Sequence, residues 1–286
     1  MKNLFISIVL ITTVFVKPLH AQKFTGVATY KSASKMTIKM DSSKVSTGEQ
    51  ELLNQRLMKA LQKEYQLVFN ASESNWKEVE KLDNNAAGGG AEVMMIGSGG
   101  GGFSLGGGGN GLLYHNTKKK NSVESIDKLG KLFLVSGELE PYEWEMTSET
   151  KQIGRYTCYK AIAKRETTQI RILESNGKKE EQKEIITQTI TAWYTPEIPV
   201  NHGPDDYWGL PGLIMEVSNG RVVLVCSKVV LNPKDATPIE IPTKGKKVTS
   251  EEYEVIMEEQ VEKMRKMYGA GKQKGKGNNI EIRIGG

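Results

Sequence analysis

Residues 213–231 read LIMEVSNGRVVLVCSKVVL. An apolar run lies on each side of a polar break, and both runs are rich in the β-branched residues that favour strands. The break contains Asn219 followed by Gly220, a dipeptide that readily adopts the positive φ angles of a tight hairpin turn. The second run is apolar on both alternating faces. This stretch therefore predicts a β-hairpin whose second strand is covered on both sides.

Short strand-like runs also recur upstream of this hairpin, about ten residues apart and separated by turn residues. They cover residues 112–115, 122–126, 131–135, 142–146 and 155–165, and residues 187–195 form a further strand-like run. Such spacing is typical of an antiparallel meander. We therefore predict a mainly β fold, a curved antiparallel sheet or a partly closed barrel, with one or two packed helices.

Two helix starts carry the capping-box pattern, in which a hydroxyl residue is followed three positions later by an acid. Ser46 with Glu49 precedes an amphipathic stretch, and Thr249 with Glu252 precedes a second one that stops at Gly269. The second stretch has an apolar stripe. Packing of this stripe against the sheet is the simpler interpretation, and a partner-binding groove is the alternative. The stripe contains Tyr253, Ile256, Met257, Met264 and Met267.

Residues 1–21 have the order of a cleavable secretory signal. Lys2 precedes a short apolar run, Lys17-Pro18 ends that run, and Ala21 provides a small residue at the expected cut. The run is too short to cross a bilayer comfortably, which argues against an N-terminal anchor. We therefore expect an exported protein that lies in the periplasm, associates with the outer membrane or is secreted, with no transmembrane anchor after cleavage.

The remaining chain divides by composition. Residues 22–243 are β-rich, with a flexible glycine-rich insertion at about 86–110, where twelve of residues 88–109 are glycine. No Gly-Lys-Ser/Thr ending follows the glycines, so a phosphate-binding loop is not indicated. Residues 244–286 contain the second helix, a Gly/Lys linker and a short alternating strand at 280–284.

Charge and cysteine content limit the function classes. The net charge of +5 is spread over well-mixed acids and bases, and no aromatic–basic platform is present, so we expect no nucleic-acid partner. Cys158 and Cys226 are the two cysteines. In an oxidising compartment they could form a disulfide, and two buried free thiols are the equally favoured alternative.

One loop region, residues 191–217, differs from the rest of the chain. It contains four prolines and three glycines, which favour a stiff, sharply turned connection. We consider it either a contact loop or a structural turn whose Leu210, Leu213 and Ile214 plug the core. The candidate residues are His202, Asp205, Asp206, Tyr207, Trp208, Gly209, Leu210, Pro211, Gly212, Leu213 and Ile214.

The hexapeptide at residues 209–214, Gly-Leu-Pro-Gly-Leu-Ile, resembles the signature of the GLPGLI family of exported Bacteroidetes proteins. The segments at 151–161, 192–199 and 203–204 resemble the same family, so the resemblance covers roughly residues 131–231. It implies a secreted, largely β protein of uncharacterised function. It supplies no catalytic residues to transfer to this chain.

Two functions follow as hypotheses. The first is a non-enzymatic binding or scaffold module for an outer-membrane or periplasmic protein or an apolar ligand, without catalytic residues, metal or cofactor. The alternative is a metal-dependent or hydrolytic enzyme. After signal removal only His115 and His202 remain for such chemistry, and His202 near Asp205 and Asp206 is the one weak candidate. A Cys158–His202 pair is disfavoured because a thiol in an apolar strand is inert.

Overall fold

The structure is a computed structural model of the chain. It describes residues 24–34, 36–39, 46–49, 51–52, 55, 62–79, 111–128, 130–175, 178–235, 237–269 and 281–284. The predicted signal peptide and the predicted glycine-rich insertion lie outside the described residues.

Fourteen strands and a long C-terminal helix are described, together with helical backbone at residues 47–49, 51–52 and 55. The first seven strands are β1 (Thr25–Ser34), β2 (Met36–Lys39), β3 (Glu64–Asn70), β4 (Glu73–Glu78), β5 (Leu112–Asn116), β6 (Asn121–Lys128) and β7 (Lys131–Glu138). The others are β8 (Glu145–Ile153), β9 (Tyr156–Ser175), β10 (Lys178–Thr195), β11 (Leu213–Ser218), β12 (Val222–Leu231), β13 (Lys246–Thr249) and β14 (Glu281–Ile284). The helix spans Ser250–Gly269.

Twelve strands form one sheet in the order β13-β7-β6-β5-β4-β3-β1-β12-β11-β10-β9-β8. Within the described residues, only β13 and β7 are parallel neighbours, and the other neighbouring strands are antiparallel. The mainly β prediction with few helices is confirmed. The sheet is open, with β13 and β8 at its edges, so the barrel alternative is not the one adopted.

The hairpin predicted around Asn219 is present as β11 and β12. Glu216 is opposite Val225, and the Asn219 side chain accepts the amide hydrogen of Val222 at 3.0 Å to close the turn. β12 lies between β1 and β11 near the middle of the sheet. Val222 and Leu224 are buried on one face of this strand, whereas Val223 and Val225 on the other face are half-buried and Val230 is exposed, so the prediction of cover on both sides holds fully for one face only.

Near the start of the described chain, β1 and β2 follow each other closely but join different sheets. β1 lies in the middle of the main sheet, whereas β2 pairs with β14 in a separate two-stranded sheet, with Ile38 opposite Ile282. The predicted C-terminal strand is therefore present, and its partner comes from the opposite end of the chain. Alternation predicts a strand but does not identify its neighbour.

Both predicted capping boxes are confirmed. The Glu49 amide donates to Ser46 Oγ at 3.3 Å, and the Ser46 amide donates to Glu49 Oε2 at 3.1 Å. The same reciprocal pair joins Thr249 and Glu252 at the start of the C-terminal helix. This helix packs at one end of the sheet, where the Tyr253 ring meets Phe133 edge-on at 5.4 Å.

β8 begins at Glu145, so the predicted strand at 142–146 is mostly irregular. Tyr142 and Trp144 precede β8, and their rings stack at 5.2 Å. The indole of Trp144 donates to the carbonyl of Trp208 at 2.8 Å. These aromatic side chains therefore pack against the loop after β10 instead of continuing the ladder.

No helix in the described part of the chain has both the length and the apolar composition needed to cross a membrane.

Candidate functional site

The loop at residues 196–212 connects β10 to β11 and folds back onto its own ends. The Leu213 amide donates to the Ile198 carbonyl at 3.0 Å, and the Ile214 amide donates to the His202 carbonyl at 3.1 Å. Between these bonds, the Gly209 amide donates to the Asn201 carbonyl at 3.0 Å. Because its backbone groups are paired within the loop, the loop can enter the core without leaving polar groups unsatisfied.

The family-like hexapeptide is largely part of the core. Leu210, Leu213 and Ile214 are at most 1% exposed, and Gly212 is also buried. A Cβ added at Gly212 would overlap the carbonyl group of Thr195, so only glycine fits this close backbone approach. Pro211 is exposed. This arrangement supports the structural interpretation for the apolar residues of the loop.

His202 is fixed inside the protein, away from solvent. Its Nε2 lies 3.1 Å from the carbonyl oxygen of Asn70, and the side chain is 1% exposed. A carbonyl only accepts, so Nε2 carries the hydrogen. Burial, together with the nearby His115, lowers the pKa of His202 to about 4. Burial alone lowers the pKa of His115 to about 4. Both imidazoles are therefore neutral at pH 7.

Asp206 is half-buried and paired with residues that the sequence had not brought together. Its Oδ2 accepts the Tyr142 hydroxyl at 2.8 Å and the Arg165 guanidinium at 3.1 Å. Arg165 also lies over the Tyr142 ring, with its central carbon 5.7 Å from the ring centroid. No local sequence signal joins these residues, because they are 23 to 64 positions apart.

Asp205 occupies a strained backbone position, with φ of 57°. Burial raises the pKa of its carboxyl well above the ordinary value, and Asp206 and Glu124 raise it further. Glu124 lies on β6, and burial together with Asp206 raises its pKa to about 7. Sequence pattern does not single out Glu124, since an acid in an alternating strand is normally solvent-facing.

Tyr207 and Trp208 are packed inside the protein, and the Tyr207 hydroxyl accepts from the Asn219 side-chain amide at 3.5 Å. Trp208 is 6% exposed and its indole donates to the Glu140 carbonyl at 3.0 Å. Tyr207 is buried, with its ring 5.5 Å from that of Tyr142. Both rings serve as packing groups whose polar tips find partners, as buried aromatic residues require.

The two cysteines are buried free thiols in the structure. Burial raises the pKa of Cys158 to about 11 and that of Cys226 to about 12. Each thiol is therefore protonated at neutral pH, which makes it a poor nucleophile. Across the described ranges, no group of three or more His, Cys, Asp or Glu side chains is placed to hold a metal ion.

A two-stranded arm extends beyond the strands that flank β9 and β10. We define the arm as residues 163–175 of β9 and 178–190 of β10, which are paired at 13 positions. β8 reaches only as far as Ile162, and β11 only as far as Thr191. In the described parts of the chain, no other strand pairs with the arm. At about 3.3 Å per residue it extends roughly 40 Å.

These features define a class of protein: an open, mainly β sheet with a buried proline- and glycine-rich connection and a projecting arm. Residues 144–216, from the start of β8 through the loop, match the model of a family described as a protein of unknown function (Porph_ging). The match includes the hexapeptide. It agrees with the coarser part of the resemblance drawn from the sequence, a family without an assigned function.

The structure is also similar to two solved structures of PNGF-II, in the C2 and P21 space groups. The sequence identity is 16% in both cases, and the TM-scores are 0.46 and 0.45. The similarity covers 82% and 81% of this chain and 32% of each PNGF-II chain, so this chain spans about a third of their length. No curated protein matches this chain.

Proposed function

We propose that this protein is a non-enzymatic, exported envelope protein of the GLPGLI type, from a Bacteroidetes bacterium, that acts as a binding or scaffold module. Its partner would be a protein of the periplasm or outer membrane. The observation that carries the proposal is the arm formed by β9 and β10. It extends 13 paired positions beyond the main sheet.

An isolated two-stranded ribbon is only marginally stable in water, because it buries little apolar surface. Its open edges offer rows of backbone donors and acceptors to an added strand. Ile185, near the middle of the arm, is 71% exposed. A partner that pairs with the arm would satisfy its edges and cover this side chain.

The polar side chains of the loop also support a non-enzymatic role, because they have partners within the chain. His202 bonds to the Asn70 carbonyl, and Asp206 is paired with Arg165 and Tyr142. These side chains hold the fold together and are thereby engaged within the chain. The arm joins these contacts at its root, where Arg165 pairs with Asp206 and Gln188 donates to the Asn219 carbonyl, and its two strands run on from there without a third strand among the described residues.

The test compares the exported protein with a shortened variant in native envelopes. Thr167 and Ile186 are opposite each other in the arm, so they can be joined by an Asn-Gly turn after deletion of residues 168–185. We expect chemical cross-linking to capture one or more envelope proteins with the full-length chain and none of these with the shortened chain.

The control is the stability of the shortened chain. Its midpoint of thermal unfolding should stay close to that of the full chain, since the deleted residues project beyond the main sheet. Recovery of the same proteins with both chains, or of none above background with either, would contradict the proposal.

A further inference from the structure

The outer edge of β9 in the arm has an unusual self-complementary pattern. Along one edge of a strand, only every second residue points its backbone N–H and C=O groups outward. When two identical strands pair antiparallel about a two-fold axis, an odd-numbered residue therefore faces an odd-numbered residue of the copy, and an even-numbered residue faces an even-numbered one. The number of regular registers is therefore small. We compared the charges that each register places at opposite positions.

The register that uses the whole β9 edge of the arm, residues 163–175, has its axis at Gln169. It places Lys164 opposite Glu174 of the second copy, twice by symmetry, and places no like charges opposite each other. Opposite charges at facing positions of an antiparallel pair are stabilising. Lys164 is exposed.

The neighbouring registers are disfavoured by charge. Moving the axis by one residue shifts each pairing by two, and one direction places Arg165 opposite Arg171. The other direction places Glu166 opposite Glu174. Like charges at facing positions are destabilising, so the β9 edge favours a single long register.

The other edge of the arm does not share this property. A full-length pairing of β10 residues 178–190 with its own copy places no opposite charges at facing positions. The β9 edge is therefore the side suited to self-association. The β10 edge is left for a different partner, so the proposal does not depend on the proposed function.

From this geometry we infer that the arm is a homodimerisation element: two copies of the chain pair through their β9 edges about a two-fold axis at Gln169. The result is a four-stranded antiparallel sheet made of two arms. Such a sheet meets the minimum size for stability that one two-stranded arm does not reach. Nine residues of each β9, 165–173, lie between the two ion-pair positions, Lys164 and Glu174.

Sedimentation equilibrium of the purified mature chain tests this inference. We expect a reversible dimer. Lys164→Glu should weaken it about tenfold, since two attractive pairs become repulsive. The double variant Lys164→Glu/Glu174→Lys should restore the wild-type dissociation constant. Lys164 faces Thr189 within its own arm, so the single variant disturbs no charge pair across the arm.

A cross-link gives a second readout that does not depend on charge. Gln169→Cys should form an intermolecular disulfide under mild oxidation, because directly opposed strand positions are within the Cα–Cα range of a disulfide. Two thiols lose two electrons and two protons to added oxidised glutathione, which is reduced to two thiols. The matched control is Thr187→Cys on the β10 edge, which should remain mostly monomeric.

Monomers throughout the accessible concentration range would overturn the inference. So would a dimer that is unaffected by Lys164→Glu, or a cross-link that forms equally well at both cysteine positions. Because the experiment uses purified protein, its failure leaves the test for an envelope partner unaffected.

Discussion

His202 on the loop after β10 is joined to Asn70 at the end of β3, 132 residues earlier in the chain, by a 3.1 Å contact between Nε2 and the carbonyl oxygen. The contact ties the proline- and glycine-rich loop to the opposite half of the sheet. It also requires a neutral imidazole with its hydrogen on Nε2. The role of this histidine is therefore structural, and it makes the protein sensitive to acid.

The free energy of unfolding should fall as the pH is lowered from about 6.5 towards 4. His202 has a pKa of about 4 in the folded protein, below the ordinary value of 6.5, so the unfolded state takes up the proton first. His115 shifts in the same direction. Urea titrations at pH 7 and pH 5 measure the effect. His202→Gln, which keeps a donor for Asn70, should make the loss smaller by on the order of 1 kcal/mol. An unchanged pH dependence in this variant would contradict the assignment.

Glu124 should have the opposite pH dependence. Its folded pKa of about 7 lies above the ordinary 4.5, so the neutral acid favours the folded state below 4.5. This contribution is lost as the pH rises through 7. Glu124→Gln, an uncharged isostere, should therefore raise the thermal midpoint at pH 8 and change it little at pH 4.5. A matched control is Glu149→Gln, because Glu149 is exposed and makes a surface ion pair with Lys160.

Replacing Gly212 should destabilise the protein strongly. An added Cβ overlaps the backbone of Thr195, which has no flexible end to move aside. We expect Gly212→Ala to cost at least about 2 kcal/mol in the free energy of unfolding, as overpacking typically does. Gly48→Ala is the control, since nothing lies within 4 Å of that position. Normal stability of Gly212→Ala with loss of the envelope partner would instead identify a contact loop.

Both cysteines should be unreactive in the folded protein and present as thiols. Burial raises the pKa of Cys158 to about 11 and of Cys226 to about 12, so little thiolate exists at neutral pH. Titration with a thiol reagent should detect almost no reaction in buffer and two thiols per chain in denaturant without a reducing agent. Zero thiols after unfolding would show that the pair is bridged in the protein.

Much of the fold could be predicted because its signals are local. The Asn219-Gly220 turn and the two capping boxes each involve residues within four positions of one another, and all three are present. The prediction of a strand at 142–146 was wrong for residues 142–144, because the Trp144 indole donates to the carbonyl of Trp208, 64 residues later in the chain. A propensity pattern contains no information about such a distant contact.

The sequence identified the segment that contains the candidate site, but it did not identify which residues bond to each other there. The sequence singled out Asp205 and Asp206 but not Arg165 or Glu124, the charged residues that face them. These partners come from β9 and β6, and they meet the loop only after the sheet has formed. Electrostatic neighbours at such sequence separation are set by strand order.

The sequence by itself determined that this is a mainly β protein, where its hairpin turns, and that residues 191–217 contain a proline- and glycine-rich connection. These properties follow from side-chain alternation and from the φ preferences of proline and glycine, which act over a few residues. Only the tertiary structure decided that the connection plugs the core, that His202 reaches Asn70, and that β9 and β10 run on as an arm. Those outcomes depend on which strands become neighbours, because burial and hydrogen bonding between distant residues exist only once the sheet is assembled.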